Sequence, residues 1–281
     1  LANSTNVAAS VKAKLKNLAK ENGRDLNFLL TKYALERFLY RLSISEYQAH
    51  FLLKGALLFD LWYDFPLRPT RDIDLLGFGL IEAAELMGVL GNLCDLPVED
   101  GMLFNRTSIV VNEIRKHSNY SGLRATFDGL IGNSRVIVQV DVGYGDAVTP
   151  ASELVEYPVL LKEYPAPKLN AYPRYTVVSE KLEAMVTLGL ANSRMKDYFD
   201  VWVILKDSSL DTEILSDAFK ATTARRKTIM PVGIPLALSE EFSSDSQKNI
   251  QWNTFLKKNQ LADLNLTTIV ANLRDRLSYL F

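Results

Sequence analysis

Residues 54–76 read KGALLFDLWYDFPLRPTRDIDLL, and the segment closes on two carboxylates around one apolar residue, Asp72-Ile73-Asp74. In a β-strand successive side chains alternate faces, so Asp72 and Asp74 project from one side while Ile73 points into a core. Two like charges about 5 Å apart at an effective dielectric near 20 repel by about 3 kcal/mol, and a cation relieves that repulsion. Hard oxygen donors suit Mg²⁺, with Mn²⁺ as a second candidate. Such an ion takes one or two carboxylates from a protein and completes its shell with water and substrate phosphates. The expected metal ligands of this stretch are therefore Asp72 and Asp74.

The residues before the pair extend the pattern. Lys54 and Gly55 open the apolar run of residues 56–63, which reads as a short amphipathic helix. A glycine there permits close backbone approach, and a helix start offers N–H groups to an anion. Arg68, Thr70 and Arg71 add charge-assisted and hydroxyl hydrogen bonds from the other side. The arrangement suits a triphosphate held over a metal, which makes an NTP the expected substrate. Taken alone, Asp-x-Asp also describes an ordinary solvated strand edge; the surrounding residues distinguish the two readings. Thr70, two residues before Asp72, is a sensitive place for phosphorylation, since an added phosphate brings like charge beside the metal ligands.

The order Lys54-Gly55-Ala56, apolar helix, Arg68-Pro69-Thr70-Arg71-Asp72-Ile73-Asp74 resembles the nucleotidyltransferase signature of the AbiEii/AbiGii toxin family. These are toxins of type IV toxin–antitoxin and phage-defence pairs, with a catalytic fold resembling that of DNA polymerase beta. The wider superfamily carries Gly-Gly or Gly-Ser at the first element; here it is Gly55-Ala56, and the role expected of Gly55 is its backbone one.

Composition narrows the chemistry from another direction. With 281 residues, 48% apolar and 23% charged, the chain can bury one large core or two modest ones. No apolar run approaches the ~20 residues needed to span a bilayer, and no basic-then-apolar secretory pattern opens the sequence. A cytoplasmic location with no membrane partner is expected. Cys94 is the sole cysteine, and His50 and His117 are the only histidines. Disulfide frameworks and multi-cysteine zinc sites are thereby excluded, and a Ser-His-Asp hydrolase is hard to build. The net charge of -1 argues against a whole-surface nucleic-acid binder but leaves room for a local basic groove.

Toward the N-terminus, apolar residues recur at helical spacing over the first forty positions, and Asn22-Gly23 divides them into two helices. Lys12, Lys14, Lys16 and Lys20 form a solvated face or an RNA contact. Residues 81–93 read as a helix. The period then changes to two over residues 108–114, 123–130 and 134–142, with Gly132-Asn133 as a hairpin turn. Asp141 interrupts the apolar run of the last strand, where an unpaired carboxylate is costly to bury. By resemblance to polymerase-beta-like folds it is the third metal carboxylate, with Asp146 as the fallback; a plain strand-end residue is the competing reading.

Prolines at 158, 165, 167 and 173 mark a connector. Helices are expected over 178–190 and 197–205, and two closing helices over 251–281, with Trp252, Phe255, Leu261 and Leu273 in the core. The first two helices and the segment between them carry Lys181, Thr187, Arg194, Lys196, Asp197 and Asp200. Asp197 and Asp200 share a helix face with Arg194, as a charged strip opposite Val201 and Ile204. Such a strip is often a surface ion-pair ladder. In the AbiEii-type family, however, a lysine motif and an Asp-x-x-Asp motif line the nucleotide site. Lys181 matches the first, and Asp197 with Asp200 the second. Lys181 would meet the β- and γ-phosphates, helped by Arg194 or Lys196, with the carboxylates orienting those cations or holding the nucleoside. Arg225-Arg226-Lys227 reads as a solvated loop or an RNA-backbone contact.

The expected fold is α+β: a polymerase-beta-like nucleotidyltransferase core, a mixed sheet flanked by helices, with N-terminal helices and a helical C-terminal domain. Residues 1–164 form the first part, and residues 165–281 complete the nucleotide site. The resemblance implies a Mg²⁺-dependent nucleotidyltransferase toxin. It would transfer NMP from an NTP to RNA, with a tRNA 3′ end as the expected acceptor, and block growth, with a cognate antitoxin as partner. On this reading Asp72→Ala and Lys181→Ala abolish transfer and leave folding intact. Transfer to a small molecule such as an antibiotic, phosphate transfer to a protein, and a non-catalytic binding module are the alternatives.

Overall fold

The structure is a computed structural model describing residues 2–63, 70–79, 82–116, 120–207 and 209–281. Arg68, and the start of the helix expected from residue 81, lie outside the described residues. The chain forms two compact units, Leu1–Gly145 with Glu153–Ala171 and Asp146–Ser152 with Tyr172–Phe281.

In the first unit α1 (Ala2–Glu21) and α2 (Leu26–Ser43) are separated at Gly23, which takes φ +59°, and Asp25 caps α2 by accepting from the Phe28 N–H. Short strand β1 (Phe51–Lys54) leads through a 3-10 turn, Gly55–Leu57, into α3 (Leu58–Trp62). Strand β2 (Asp72–Gly77), helix α4 (Ala83–Asp95) and strands β3 (Met102–Phe104), β4 (Val110–Lys116), β5 (Tyr120–Ile131) and β6 (Ser134–Tyr144) follow. Strands β7 (Glu153–Glu156) and β8 (Lys168–Ala171) complete a mixed sheet in the order β3-β5-β6-β2-β1-β8-β7, with β4 also on β5. The β2–β6 and β1–β8 pairs are parallel and the others antiparallel.

Period-two alternation gives this sheet two unlike faces. Leu53, Ile73, Ala125, Phe127, Val138 and Val140 are buried on one face, where Phe38 of α2 sits 4.8 Å from the Phe127 ring. The opposite face carries the polar residues of the site. Helix α2 also buries charge: Arg41 donates to Asp100 at 2.7 Å, and Arg37 donates twice to the Pro165 carbonyl.

The second unit is helical: α5 (Arg174–Leu188), α6 (Met195–Asp207), α7 (Thr212–Arg226), α8 (Glu240–Ser244), α9 (Ser246–Asn259) and α10 (Leu266–Leu277). Trp252 and Leu273 are fully buried as expected, whereas Phe255 and Leu261 are half-buried. The division expected at residue 165 differs from the one observed. Residues 168–171 pair with β1 and β7 in the first unit's sheet, and Thr149 in the 146–152 segment exchanges two hydrogen bonds with the Thr176 hydroxyl of α5. Among the described residues no helix is long and apolar enough to cross a membrane.

Candidate active site

Strand β2 places Asp72 and Asp74 as its alternation requires. Both are half-buried on the polar face, and Ile73 between them is completely buried. Cross-strand register brings their neighbours into rows: Lys54 lies opposite Asp74, Asp74 opposite Asp141, and Asp141 opposite Arg124. Asp72 lies opposite Gln139 in the next row. Residues directly opposite on neighbouring strands share a face, so Lys54, Asp72, Asp74, Asp141 and Arg124 all project from one side. The Thr70 hydroxyl donates to Asp72 Oδ1 at 2.8 Å, fixing one carboxylate oxygen, and Arg71 is exposed.

Gly55 is required by the packing beneath Asp74. Its φ is +75°, and a Cβ there would lie 2.1 Å from Asp74 Oδ2, so Asp74 rests directly on the glycine backbone. The close approach expected at Gly55 is therefore made first by the catalytic carboxylate candidate, with the 3-10 turn and α3 starting at once behind it.

Asp141 sits beside Asp74 as expected, but its carboxylate is engaged. Arg124 Nε and Nη2 donate to Asp141 Oδ1 and Oδ2 at 2.8 and 2.7 Å, and Gln139 Nε2 adds a third bond at 3.2 Å. The hydrogen bond to Asp141 raises the Arg124 pKa above its ordinary value; burial opposes this, and the charges of Asp141, Asp72 and Asp74 reinforce it. Among the described residues no group of three His, Cys, Asp or Glu side chains stands arranged to hold a metal ion. Asp72 and Asp74, both half-buried on this face, are the remaining candidate donors. Two hard oxygen ligands on one face fit a divalent cation that draws its remaining ligands from water and phosphate.

In the second unit the helices bring Lys181, Asp197 and Asp200 together. Lys181 Nζ donates to Asp197 Oδ1 at 2.6 Å and to Asp200 Oδ2 at 2.8 Å. Both carboxylates are buried, with side chains 5% and 1% exposed, so the charged strip is an interior ion cluster and not a surface ladder. Arg194 stands just before α6 with Nη1 3.8 Å from Asp197 Oδ2, and Lys196 is exposed.

Two expectations need correction. Arg226 is no solvated loop residue or RNA contact: it lies in the last turn of α7 with its side chain 19% exposed, pairing with Asp146, Glu180 and Glu183. Burial opposes its charge, yet Glu180, Asp146 and Glu183 together raise its pKa above the ordinary arginine value. The same pairing accounts for Asp146, which accepts from Arg226 at 2.9 Å within the second unit and leaves the fallback role to no purpose. On α1, Lys14, Lys16 and Lys20 are exposed, and Lys14 pairs with Glu163 at 2.6 Å.

Comparison with known proteins bears on both clusters. Two solved Helicobacter pylori structures share the fold. One is JHP933, 14% identical, covering 90% of this chain and 94% of that one, with a TM-score of 0.51. The other, described as a candidate nucleotidyltransferase, is 16% identical and covers 90% of this chain and 97% of that one, with a TM-score of 0.52. Comparison with curated proteins gives no significant match. The family model of the nucleotidyl transferase AbiEii toxin of type IV toxin–antitoxin systems matches residues 37–272, which takes in Asp72, Asp74 and Asp141 as well as Lys181, Asp197 and Asp200. The chain therefore belongs to the AbiEii family of nucleotidyltransferase toxins, a membership that implies an NTP substrate and an antitoxin partner.

Proposed function

We propose that this nucleotidyltransferase moves the nucleoside monophosphate of an NTP onto RNA, at the 3′ hydroxyl of a tRNA, in a Mg²⁺-dependent reaction that arrests growth and serves phage defence. The acceptor oxygen attacks the α-phosphorus, the bond to the β-phosphate oxygen breaks, and pyrophosphate leaves. The observation that supports this most is the half-buried Asp72 and Asp74 pair on one sheet face, with Asp74 seated on the Gly55 backbone. These two residues would hold the divalent cation, Mg²⁺ or Mn²⁺. When bound, that ion supplies neutralising charge for the triphosphate and a lower pKa for the acceptor hydroxyl.

The chain's own groups define the rest of the reading. Thr70 orients Asp72 through its hydroxyl. Lys54, on the same face as Asp74, and Arg71, exposed at the entry to β2, are the first unit's candidate phosphate contacts. In the second unit Asp197 and Asp200 fix Lys181 in one position, and Arg194 and Lys196 add positive charge near it. We assign these residues to nucleotide binding because the family match spans them.

The test is incubation of the protein with Mg²⁺, total bacterial tRNA and each α-³²P-labelled NTP in turn, read on a denaturing gel. Label on tRNA with one nucleotide establishes donor and acceptor together. Absence of label on tRNA with all four, together with labelling of a small-molecule or protein acceptor, would replace the RNA reading.

A further inference from the structure

Arg124 is a part-exposed arginine inside the proposed site to which the reaction above gives no part. Its guanidinium engages both oxygens of Asp141, at 2.8 and 2.7 Å, and Gln139 holds one of them as well. The burial of the two partners is unequal, with Asp141 5% exposed and Arg124 43%. Asp141 is therefore fixed in the strand, whereas the arginine can withdraw toward solvent. Asp74 lies directly opposite Asp141 on the parallel strand β2, so the guanidinium stands where a cation bridging those carboxylates would need Asp141 to open.

We propose that Arg124 is a positioning residue that serves as the resident counter-ion of Asp141 and competes with a divalent cation for it. This rests on the reading of Asp72 and Asp74 as the cation's first donors. Three carboxylates on adjacent strands repel one another, and a bidentate arginine relieves that repulsion with two charge-assisted hydrogen bonds. The pair therefore keeps the sheet face stable without metal. It also means that a cation drawing on both oxygens of Asp141 does so by exchange with the guanidinium, so Arg124 and the ion compete for that carboxylate. A bound triphosphate favours that exchange, because it offers the departing guanidinium an anionic partner.

Calorimetric titration with Mn²⁺, without nucleotide, tests the competition in the wild type, Arg124→Gln, Arg124→Lys and Asp72→Asn. Removing a positive charge beside the ion should let Arg124→Gln bind Mn²⁺ at least about tenfold more tightly. The Mn²⁺-induced rise in melting temperature should also be larger than in the wild type. Arg124→Lys, which keeps the charge but loses the fork, should fall between them, and it carries the test if Arg124→Gln folds poorly. An arginine that only places charge near the site would leave Arg124→Lys at wild-type affinity, whereas competition for Asp141 raises it once the fork is lost. Wild-type or weaker Mn²⁺ binding by the arginine variants, with binding lost in Asp72→Asn, would overturn the proposal alone. Wild-type binding by Asp72→Asn would overturn the reading of the carboxylate pair and the proposal with it.

Discussion

The carboxylates on the first unit's sheet face and those of α6 in the second unit are the same chemical groups neutralised in opposite ways. Asp197 and Asp200 are buried, and Lys181 lies against both, with Arg194 at 3.8 Å from Asp197. On the sheet face Asp72 and Asp74 are half-buried, and Asp141 alone takes up both donors of the Arg124 fork. A buried carboxylate pair bonded to one lysine fixes its members in place. The half-buried carboxylates gathered on one face are the ones we propose to hold a cation. We read the first arrangement as holding Lys181 in one position and the second as the proposed cation site.

Removing the divalent ion should have the largest effect. Chelation with EDTA is expected to lower nucleotidyl transfer roughly a thousandfold or more, with recovery on adding Mg²⁺; activity persisting in EDTA would erase the distinction on the sheet-face side. Next comes Lys181→Met, which removes the hydrogen-bonded cation from two buried carboxylates. A loss of about 3–5 kcal/mol is expected in urea unfolding, so the expectation that Lys181→Ala spares folding does not agree with the buried cluster. Adding Asp197→Asn and Asp200→Asn to Lys181→Met should restore most of that stability, whereas an unchanged midpoint in the single variant would show that the cluster does not hold the helices. Gly55→Ala should cost about 1–3 kcal/mol because the position needs φ +75°. It should also slow transfer by displacing Asp74, and a variant with normal turnover would show that the glycine cradle is dispensable.

The smallest effect separates both clusters from a buried carboxyl outside them. Burial pushes the Glu36 pKa up to about 8, against the Leu160 N–H and the charges of Lys32 and Arg37. Its Oε2 accepts from Leu160 N at 3.0 Å, while Oε1 has no hydrogen-bond partner among the described residues. The folded form thus keeps a proton that the unfolded chain releases near its ordinary carboxylate pKa. Glu36 therefore contributes stability that is present at low pH and falls as pH rises from about 4.5 toward about 8. Glu36→Gln should flatten that fall in melting temperature; an unchanged pH profile would assign the fall to other groups.

How far these features could be read in advance depended on the range of the interactions. The long helices and β4 to β6 announce themselves because periods of 3.6 and two persist over many residues. Strands such as β1, β3 and β8, with three or four residues each, offer too few positions for any period. Asp72 and Asp74 were legible from alternation alone. Arg124 was legible in principle: the two-residue turn at Gly132-Asn133 sets Ile131 opposite Ser134, and stepping back along both strands places Arg124 opposite Asp141. By contrast, Arg41 meets Asp100, and Arg226 meets Asp146, across long stretches of chain. No local pattern encodes such pairs, so charged residues that finish buried look like solvated ones in the sequence.

The most direct single measurement is the transfer rate of Asp72→Asn protein, with the NTP and acceptor that the wild type uses, after confirming an unchanged melting temperature. Asparagine keeps the size of the side chain and an acceptor for the Thr70 hydroxyl, but removes the charge that would hold the cation. The expected result is a rate at least about a thousandfold below wild type in a fully folded protein. A rate within about tenfold of wild type would contradict the assignment of the sheet face as the site of nucleotidyl transfer.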